Sequence, residues 1–287
     1  MVNNYKFRQY FRLVVIAYAL ALLTSFKNNY TTEKTEPAFL AYYHFFHIRD
    51  TTNTGRIWEE EFILASNGNK SAYLSYSKIK QDSLIQLRLQ KNSGADGNPI
   101  DMGTIARTTS ERIYTDQSKK ELVLQKSIEK EVYLIKSSLP SITWKIEGET
   151  KQLLGYTCQK ATGKCMGRVY TAWFTTDIPE GTGPWKLQGL PGLILEAYDV
   201  YHRIKFTCTK IQLKTALPRY ASVIPPLEAI VTTQKAYDRM DKAYRDGISG
   251  DVSSIDGTMV DKVTVNGGVN NGRTKKFSIN NPIELVQ

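Results

Sequence analysis

The chain has 287 residues, of which 41% are hydrophobic and 23% charged, and its formal net charge is +10. This length suits one large globular domain or two small ones. Several of the bases are interleaved with acids, and Arg273, Lys275 and Lys276 form only a short basic group near the end, which favours a solvated surface and argues against a nucleic-acid partner. A weak affinity for anionic lipid head groups or glycans stays open.

The first residues predict an export signal. A basic lead precedes an uncharged apolar run of eleven residues at 13–23. The apolar core of a secretory signal spans about 7–15 residues, whereas a membrane span needs about 20. Residues 1–21 therefore predict a cleaved signal, with Ala19-Leu20-Ala21 offering the cleavage pattern, and 22–287 a single β-rich domain. An uncleaved anchor is the alternative.

Most of the mature sequence alternates apolar and polar residues with a period of two, which is typical of β-strands. Strands are predicted at 41–48, 58–65, 85–89, 111–114, 122–126, 131–135, 142–146, 154–161, 166–174, 193–201 and 204–213. Many short strands linked by short turns favour antiparallel pairing. The segment 226–246 instead has a proline at its start and a glycine just past its end, which predicts a helix. The predicted fold is mainly β: a curved antiparallel sheet or partial barrel with one covering helix (about 226–246).

The densest group of turn and core residues is Gly189-Leu190-Pro191-Gly192-Leu193-Ile194. Proline fixes φ and favours an extended residue before it, while glycine permits φ > 0 or close backbone approach. We expect φ > 0 at Gly192 and close approach at Gly189, so that a tight bend leads into a core strand. The spacing is not that of a phosphate loop. A partner-binding bend is the alternative to this structural role.

The hexapeptide belongs to a longer ordered set of residues. The set comprises 156–161, Gly167-Arg168, 172–175, 177–179, 183–186, the hexapeptide and 281–285. Through these residues the chain resembles the GLPGLI family, which consists of exported proteins of the Bacteroidetes lineage. The resemblance covers the second half well and the earlier aromatic strands loosely. It implies no activity, cofactor or catalytic residue, because the family has no established enzymatic function.

The chain has three cysteines, Cys158, Cys165 and Cys208. In an oxidising compartment they could form one disulfide and leave one thiol, and all three pairings are open. A thiol nucleophile is the alternative, but it needs a nearby histidine and no cysteine-protease signature surrounds any of the three. The histidines are His44, His47 and His202.

Aromatic residues cluster in the second half of the chain. Packing in the core is the simpler interpretation, and a platform for a sugar or lipid is the alternative. The candidate binding residues, at the rim of a concave face, are Trp173, Trp185, Leu190 and Pro191.

No catalytic, cofactor or metal site is predicted. Glycosidase chemistry needs two carboxyls about 5–10 Å apart, and the sequence places no pair in that way. We therefore expect an exported, non-catalytic protein of the periplasm or cell envelope, without a stable membrane span in the mature chain. It would bind an apolar ligand or an outer-membrane protein partner. The alternative is an exported hydrolase or isomerase of unfamiliar type, with a cleft that gathers Asp199, His202 or Cys208.

Overall fold

The described part of the chain is built mainly from β-strands. The computed structural model describes residues 38–92, 104–247 and 279–285, and the predicted signal at 1–21 lies outside them. The strands are β1 (Phe39–Ile48), β2 (Ile57–Ser66), β3 (Lys70–Ser75), β4 (Arg112–Asp116), β5 (Glu121–Ile128), β6 (Glu131–Ser138), β7 (Trp144–Leu153), β8 (Tyr156–Cys165), β9 (Arg168–Thr175), β10 (Leu193–Asp199), β11 (Ile204–Leu213) and β12 (Ile230–Thr232).

All twelve strands belong to one sheet, in the order β12-β6-β5-β4-β3-β2-β1-β11-β10-β9-β8-β7. The sheet is open, because β12 and β7 form its two edges and do not pair with each other. Neighbouring strands are antiparallel except that β12 runs parallel to β6. The predicted class, a mainly β protein with a curved antiparallel sheet, is confirmed.

The two faces of the sheet carry separate apolar clusters, because alternate residues of a strand point to opposite sides. We call the inner face the one that carries Phe45, Phe62 and Phe206, which belong to the larger buried cluster. The outer face carries Ile63 and Leu74, which belong to the smaller cluster.

A helix that the alternation did not predict packs against the outer face. This helix, α1 (Tyr76–Asn92), includes residues 85–89, so the strand predicted there is wrong. Ser75 caps it, since its hydroxyl accepts a hydrogen bond from the Lys78 amide at 2.9 Å. Beyond the cap the segment is rich in Lys, Gln and Leu, which are good helix formers. A cap followed by such residues outweighs three apolar residues in alternation.

The predicted C-terminal helix starts later in the chain than expected. The helix, α2 (Gln234–Gly247), begins after Thr233, whose hydroxyl accepts a hydrogen bond from the Ala236 amide at 3.2 Å. That contact makes Thr233 the N-cap. Pro226 instead opens a turn, and the chain then pairs with β6 as β12 before the helix begins.

One aromatic residue of helix α2 packs it against the sheet near the β12 edge. Tyr237 is buried, and its ring centroid is 5.6 Å from that of Tyr133 in β6. Its hydroxyl donates a hydrogen bond to the Ser127 carbonyl of β5 at 3.3 Å. Among the described residues, no helix combines the length and apolar character needed to cross a membrane.

Candidate functional site

The inner face holds a cavity of about 320 Å³. Ligand pockets in proteins span about 300–1,000 Å³, so this cavity has room for one small molecule. Five aromatic rings contribute to its wall: Phe45, Phe62, Tyr73, Trp185 and Phe206.

The aromatic wall of the cavity is braced by its own packing. The rings of Phe62 and Tyr73 stack with centroids 4.8 Å apart, and those of Phe45 and Phe206 stack at 5.0 Å. Trp185 lies nearly parallel to Phe206, at 6.4 Å and an angle of 11°. Close-packed rings hold one another in place, so the cavity is formed without a ligand.

Beside the cavity, the inner face is filled by residues 176–192, which join β9 to β10 and which we call the filling segment. Its apolar residues Ile178, Leu187 and Leu190 are 4% exposed or less. The indole N–H of Trp144 donates to the Gln188 carbonyl at 2.9 Å and ties the segment to β7. Most of the hexapeptide thus lies within the core.

The two glycines of the hexapeptide have the reverse of the roles predicted for them. Gly189 adopts φ = 91°, in the left-handed region that favours glycine. Gly192 has no positive φ; a Cβ there would overlap the carbonyl oxygen of Thr175 and lie 2.6 Å from its carbonyl carbon. Gly189 therefore makes the bend, and Gly192 permits close approach to the end of β9.

The predicted binding residues have different surroundings. Trp185 lines the cavity, and its backbone takes φ = 56°, which is uncommon for a bulky residue. Trp173 does not line the cavity; the Lys151 ammonium lies 4.3 Å from its ring centroid. Leu190 is buried in the filling segment, while Pro191 is exposed.

One side of the cavity is closed by residues 279–285, which we call the terminal strap. The strap residues that line the cavity are Ile279, Pro282, Ile283 and Glu284. The Glu284 carboxylate accepts a hydrogen bond from the Lys186 ammonium at 2.6 Å, which joins the strap to the filling segment.

A buried arginine holds the strap in place. Arg168 is 8% exposed and donates to the Ile283 carbonyl at 3.1 Å. It also donates to the side chain of Asn281 and to the carbonyl of Pro282. Its charge is balanced by Asp199, whose Oδ2 is 3.3 Å from the guanidinium and which is also buried. A buried charge needs such a partner, because desolvation is costly.

His47 links the strap to the cavity wall. Its Nε2 lies 2.8 Å from the Asn281 carbonyl, and we assign the proton to this nitrogen because a carbonyl can only accept. Burial disfavours the imidazolium and lowers the pKa of His47 to about 4. The ring is therefore neutral at pH 7.

Two charged side chains near the cavity, Glu60 and Arg49, differ in their partners. The carboxylate of Glu60 is buried and accepts hydrogen bonds from Ser75, Trp58 and both the amide and the hydroxyl of Thr109. Arg49 is one of the cavity-lining residues, and the central carbon of its guanidinium is 3.7 Å from the Trp58 ring centroid.

The three cysteines are buried free thiols in the structure. Burial raises the pKa of Cys158 to about 11 and the pKa values of Cys165 and Cys208 to about 12. Since the thiolate is the nucleophile, such thiols are poorly reactive. The choice among the three disulfide pairings stays a prediction.

The side chains considered for catalysis have separate surroundings. Asp199 pairs with Arg168, whereas the exposed His202 stacks on Tyr198 with ring centroids 4.3 Å apart. Cys208 lies opposite Tyr43 in the pairing of β11 with β1. Within the described ranges, no group of three His, Cys, Asp or Glu side chains could hold a metal ion.

Most of the cavity residues were not singled out from the sequence. Phe45, Phe62, Tyr73 and Phe206 come from four strands, and only their pairing brings them together. The available signal was the alternation in β1, which puts Phe45 and His47 on one face. Arg49 follows directly after that strand, so a search for charged residues at the ends of aromatic strands would have found it.

Comparison with known proteins gives a local family match. Over residues 165–196 the chain matches a family model described as "Protein of unknown function (Porph_ging)". The matched range includes β9, the filling segment and the hexapeptide, and it fits the resemblance seen in the sequence broadly. No curated protein matches the chain.

Two solved structures of PNGF-II are similar in fold. The structure in space group C2 has a TM-score of 0.50 and 18% identity, and the match covers 73% of this chain and 33% of that one. The structure in space group P21 has a TM-score of 0.49 and 18% identity, with coverage of 73% and 34%. This chain thus spans about a third of the length of those structures. At this identity the C2 match shows a shared fold alone.

Proposed function

We propose that the protein is an exported, non-catalytic envelope protein of the GLPGLI type that binds a small apolar ligand in the inner-face cavity. The observation that carries the proposal is the preformed cavity of about 320 Å³ with a wall of stacked aromatic rings. Burial of an apolar ligand against such a wall is favourable by about 25 cal/mol per Å² of apolar surface.

The state of the ionisable groups at the cavity supports a binding role over a catalytic one. The carboxylate of Glu111 pairs with Lys126 at 3.1 Å, and that of Glu284 pairs with Lys186 at 2.6 Å. His47 is neutral and held by the strap. A general base needs a pKa near the working pH and a free position, and His47 has neither.

A fluorescent probe tests the proposal. N-phenyl-1-naphthylamine, an apolar dye that is excited directly, should bind the purified protein with a bright, saturable signal. Leu124 lines the cavity and is only partly buried, so Leu124→Trp should fill the space and reduce dye binding at least about tenfold, the effect of 1.4 kcal/mol.

The matched control makes the same change outside the cavity. Leu213 is 48% exposed at the end of β11 and does not line the cavity, so Leu213→Trp should bind the dye like the original protein. Equal dye binding by both variants would refute the cavity as the site. Turnover of a generic ester or peptide that is lost only in Leu124→Trp would favour the hydrolase alternative.

A protein partner remains the second candidate, because one sheet edge is open and apolar. The edge strand β12 exposes Val231 by 60%, and the turn before it exposes Leu227 by 95%. The opposite edge, β7, carries a register irregularity between Ile146 and Thr150, a common device against edge pairing. We therefore propose that any partner adds a strand beside β12.

A charged edge residue tests this second candidate. Val231→Lys should abolish co-purification of a specific envelope protein, since lysine on an edge strand opposes strand addition. Val200→Lys is the control, because Val200 is equally exposed, at 63%, in the turn between β10 and β11. Identical co-purification with both variants would contradict strand addition at β12.

A further inference from the structure

We infer that the ligand is a single-chain amphiphile whose carboxylate head binds Arg49 while its chain lies among the aromatic rings of the cavity. This inference rests on the proposed function and names the chemical class of its ligand. Four observations carry it: the partners of Arg49, the pairing of the other charges, an unused hydroxyl and the size of the space.

The first observation concerns the interactions that Arg49 makes at the cavity. Its guanidinium stacks on Trp58, and in the part of the chain that the structure describes no oxygen lies within hydrogen-bond distance of it. Burial and the nearby charge of Arg107 lower the pKa of Arg49 to about 10, so the side chain stays charged at pH 7 but lacks full compensation. An arginine fork in this state favours an anion, and it matches a carboxylate with two parallel hydrogen bonds.

The carboxylates around the cavity are already engaged. Glu111 pairs with Lys126 and Glu284 with Lys186, so each cavity carboxylate has its own lysine. Glu60 is the acid whose charge reaches Arg49, but its two oxygens accept hydrogen bonds from other groups. The Glu60 oxygens accept from these groups and not from Arg49, so the N–H donors of Arg49 remain for a ligand.

A second donor in the cavity wall also lacks an acceptor. Tyr73 lines the cavity, is 5% exposed, and its buried hydroxyl has no hydrogen-bond partner in the described part of the chain. An unpaired buried hydroxyl is unfavourable, and a polar ligand atom that reaches it would remove that cost. Both unused groups, Arg49 and Tyr73, are donors, so the ligand must supply acceptors.

The size of the cavity limits the rest of the ligand. A space of about 320 Å³ suits a single chain of moderate length and is too small for a diacyl lipid. The apolar wall would contact the chain, while Arg49 lines the same cavity and would contact the head. Octanoate has this combination of one carboxylate and one short apolar chain, and it serves as the probe.

The first test compares three compounds that differ only in the charge of the head. Octanoate, octan-1-ol and octylamine share one chain and carry a negative, neutral and positive head at pH 7. Displacement of N-phenyl-1-naphthylamine should rank them octanoate, then octan-1-ol, then octylamine, with octanoate ahead of the alcohol by about tenfold to a hundredfold, as expected for a hydrogen bond to a charged group. Leu124→Trp should weaken all three.

The second test removes the charge. Arg49→Gln should bring octanoate down to the affinity of octan-1-ol and leave the alcohol unchanged. Arg49→Lys should retain part of the preference, because it keeps the charge and loses the fork. Arg219→Gln is the control for net charge, since Arg219 is exposed and does not line the cavity.

The outcomes separate this inference from the proposed function. Equal binding of octanoate and octan-1-ol, both blocked by Leu124→Trp, would overturn the carboxylate head and leave apolar binding intact. A preference for octylamine would overturn it as well. If none of the three compounds binds, or if Leu124→Trp weakens the binding of none of them, both the inference and the proposed function are overturned.

Discussion

The inner face has two halves, which differ in how their apolar surface is covered. Over β8 to β10 the chain covers its own apolar surface with the filling segment, and Leu187, Leu190 and Leu193 are 2% exposed or less. Over β2 to β5 the described residues include no such segment, and Phe62, Tyr73 and Leu124 border a cavity. Trp185 stands between the two halves, since it comes from the filling segment and lines the cavity.

The difference separates a packed part of the inner face from a part that borders a cavity. In the filled half, polar backbone groups find partners within the chain; the Gly189 amide donates to the Gly181 carbonyl at 2.9 Å. In the open half, Arg49 and the hydroxyl of Tyr73 are left without acceptors among the described residues. Unpaired buried polar groups are costly, and the filled half keeps one as well, the hydroxyl of Tyr170, so Arg49 is the group that distinguishes the open half.

The largest effect on stability should come from replacing Arg168, which holds the terminal strap at the border of the open half. Arg168→Gln leaves Asp199 buried without its charge partner and frees the terminal strap. Removal of one partner of a buried pair costs about 3–5 kcal/mol, so the free energy of unfolding should fall by that amount in urea denaturation. Arg219→Gln, on an exposed arginine, should change it by less than about 0.5 kcal/mol. Equal stability of the two variants would mean that the strap does not depend on Arg168.

A substitution in the filled half should have the next largest effect. Gly192→Ala places a Cβ against the carbonyl of Thr175, where backbone must move, and overpacking of this kind costs about 3 kcal/mol. Gly148→Ala is the control, because nothing lies within 4 Å of a Cβ there. If the melting temperature of Gly192→Ala equals that of the original protein, the filling segment is packed more loosely than its contacts indicate.

Acid should destabilise the fold through His47. The unfolded histidine takes up a proton near pH 6.5, while the folded one resists until about pH 4, so the stability that neutral His47 confers is full above 6.5 and is lost as the pH falls towards 4. At pH 5 the loss is about 2 kcal/mol, from 1.36 kcal/mol per pKa unit. His47→Gln can still donate to the Asn281 carbonyl, and its unfolding free energy should depend less on pH in this range. Parallel pH curves would contradict the assignment.

The strands could be predicted from the sequence because alternation reports a half-buried strand directly. The helix starts could not be read so simply: Ser75 and Thr233 act as caps, and hydroxyl residues are common in strands and turns as well. The reversed roles of Gly189 and Gly192 have a similar cause. Both roles call for glycine, and only the position of β9 decides which residue needs room.

The cavity is harder to predict than the fold, because its residues meet through strand order. Phe45 and Phe206 are opposite each other in the pairing of β1 with β11, strands far apart in the chain. The aromatic residues near the hexapeptide drew attention to the filled half, where Trp173 lies outside the cavity. The open half carries no compact motif, so its cavity is visible only once the register is known.

The smallest effect, and the sharpest contrast between the halves, is expected from two tyrosines. The hydroxyl of Tyr43 donates to the Ile194 carbonyl at 2.8 Å in the filled half, whereas that of Tyr73 has no partner in the described residues. Tyr43→Phe should lower the unfolding free energy by about 1 kcal/mol, the usual net value of one hydrogen bond. Tyr73→Phe removes an unpaired hydroxyl without changing the ring, so stability should stay level or rise slightly. Urea denaturation of both variants measures the contrast, and an equal loss in both would show that the hydroxyl of Tyr73 is already satisfied in the free protein and is not reserved for a ligand.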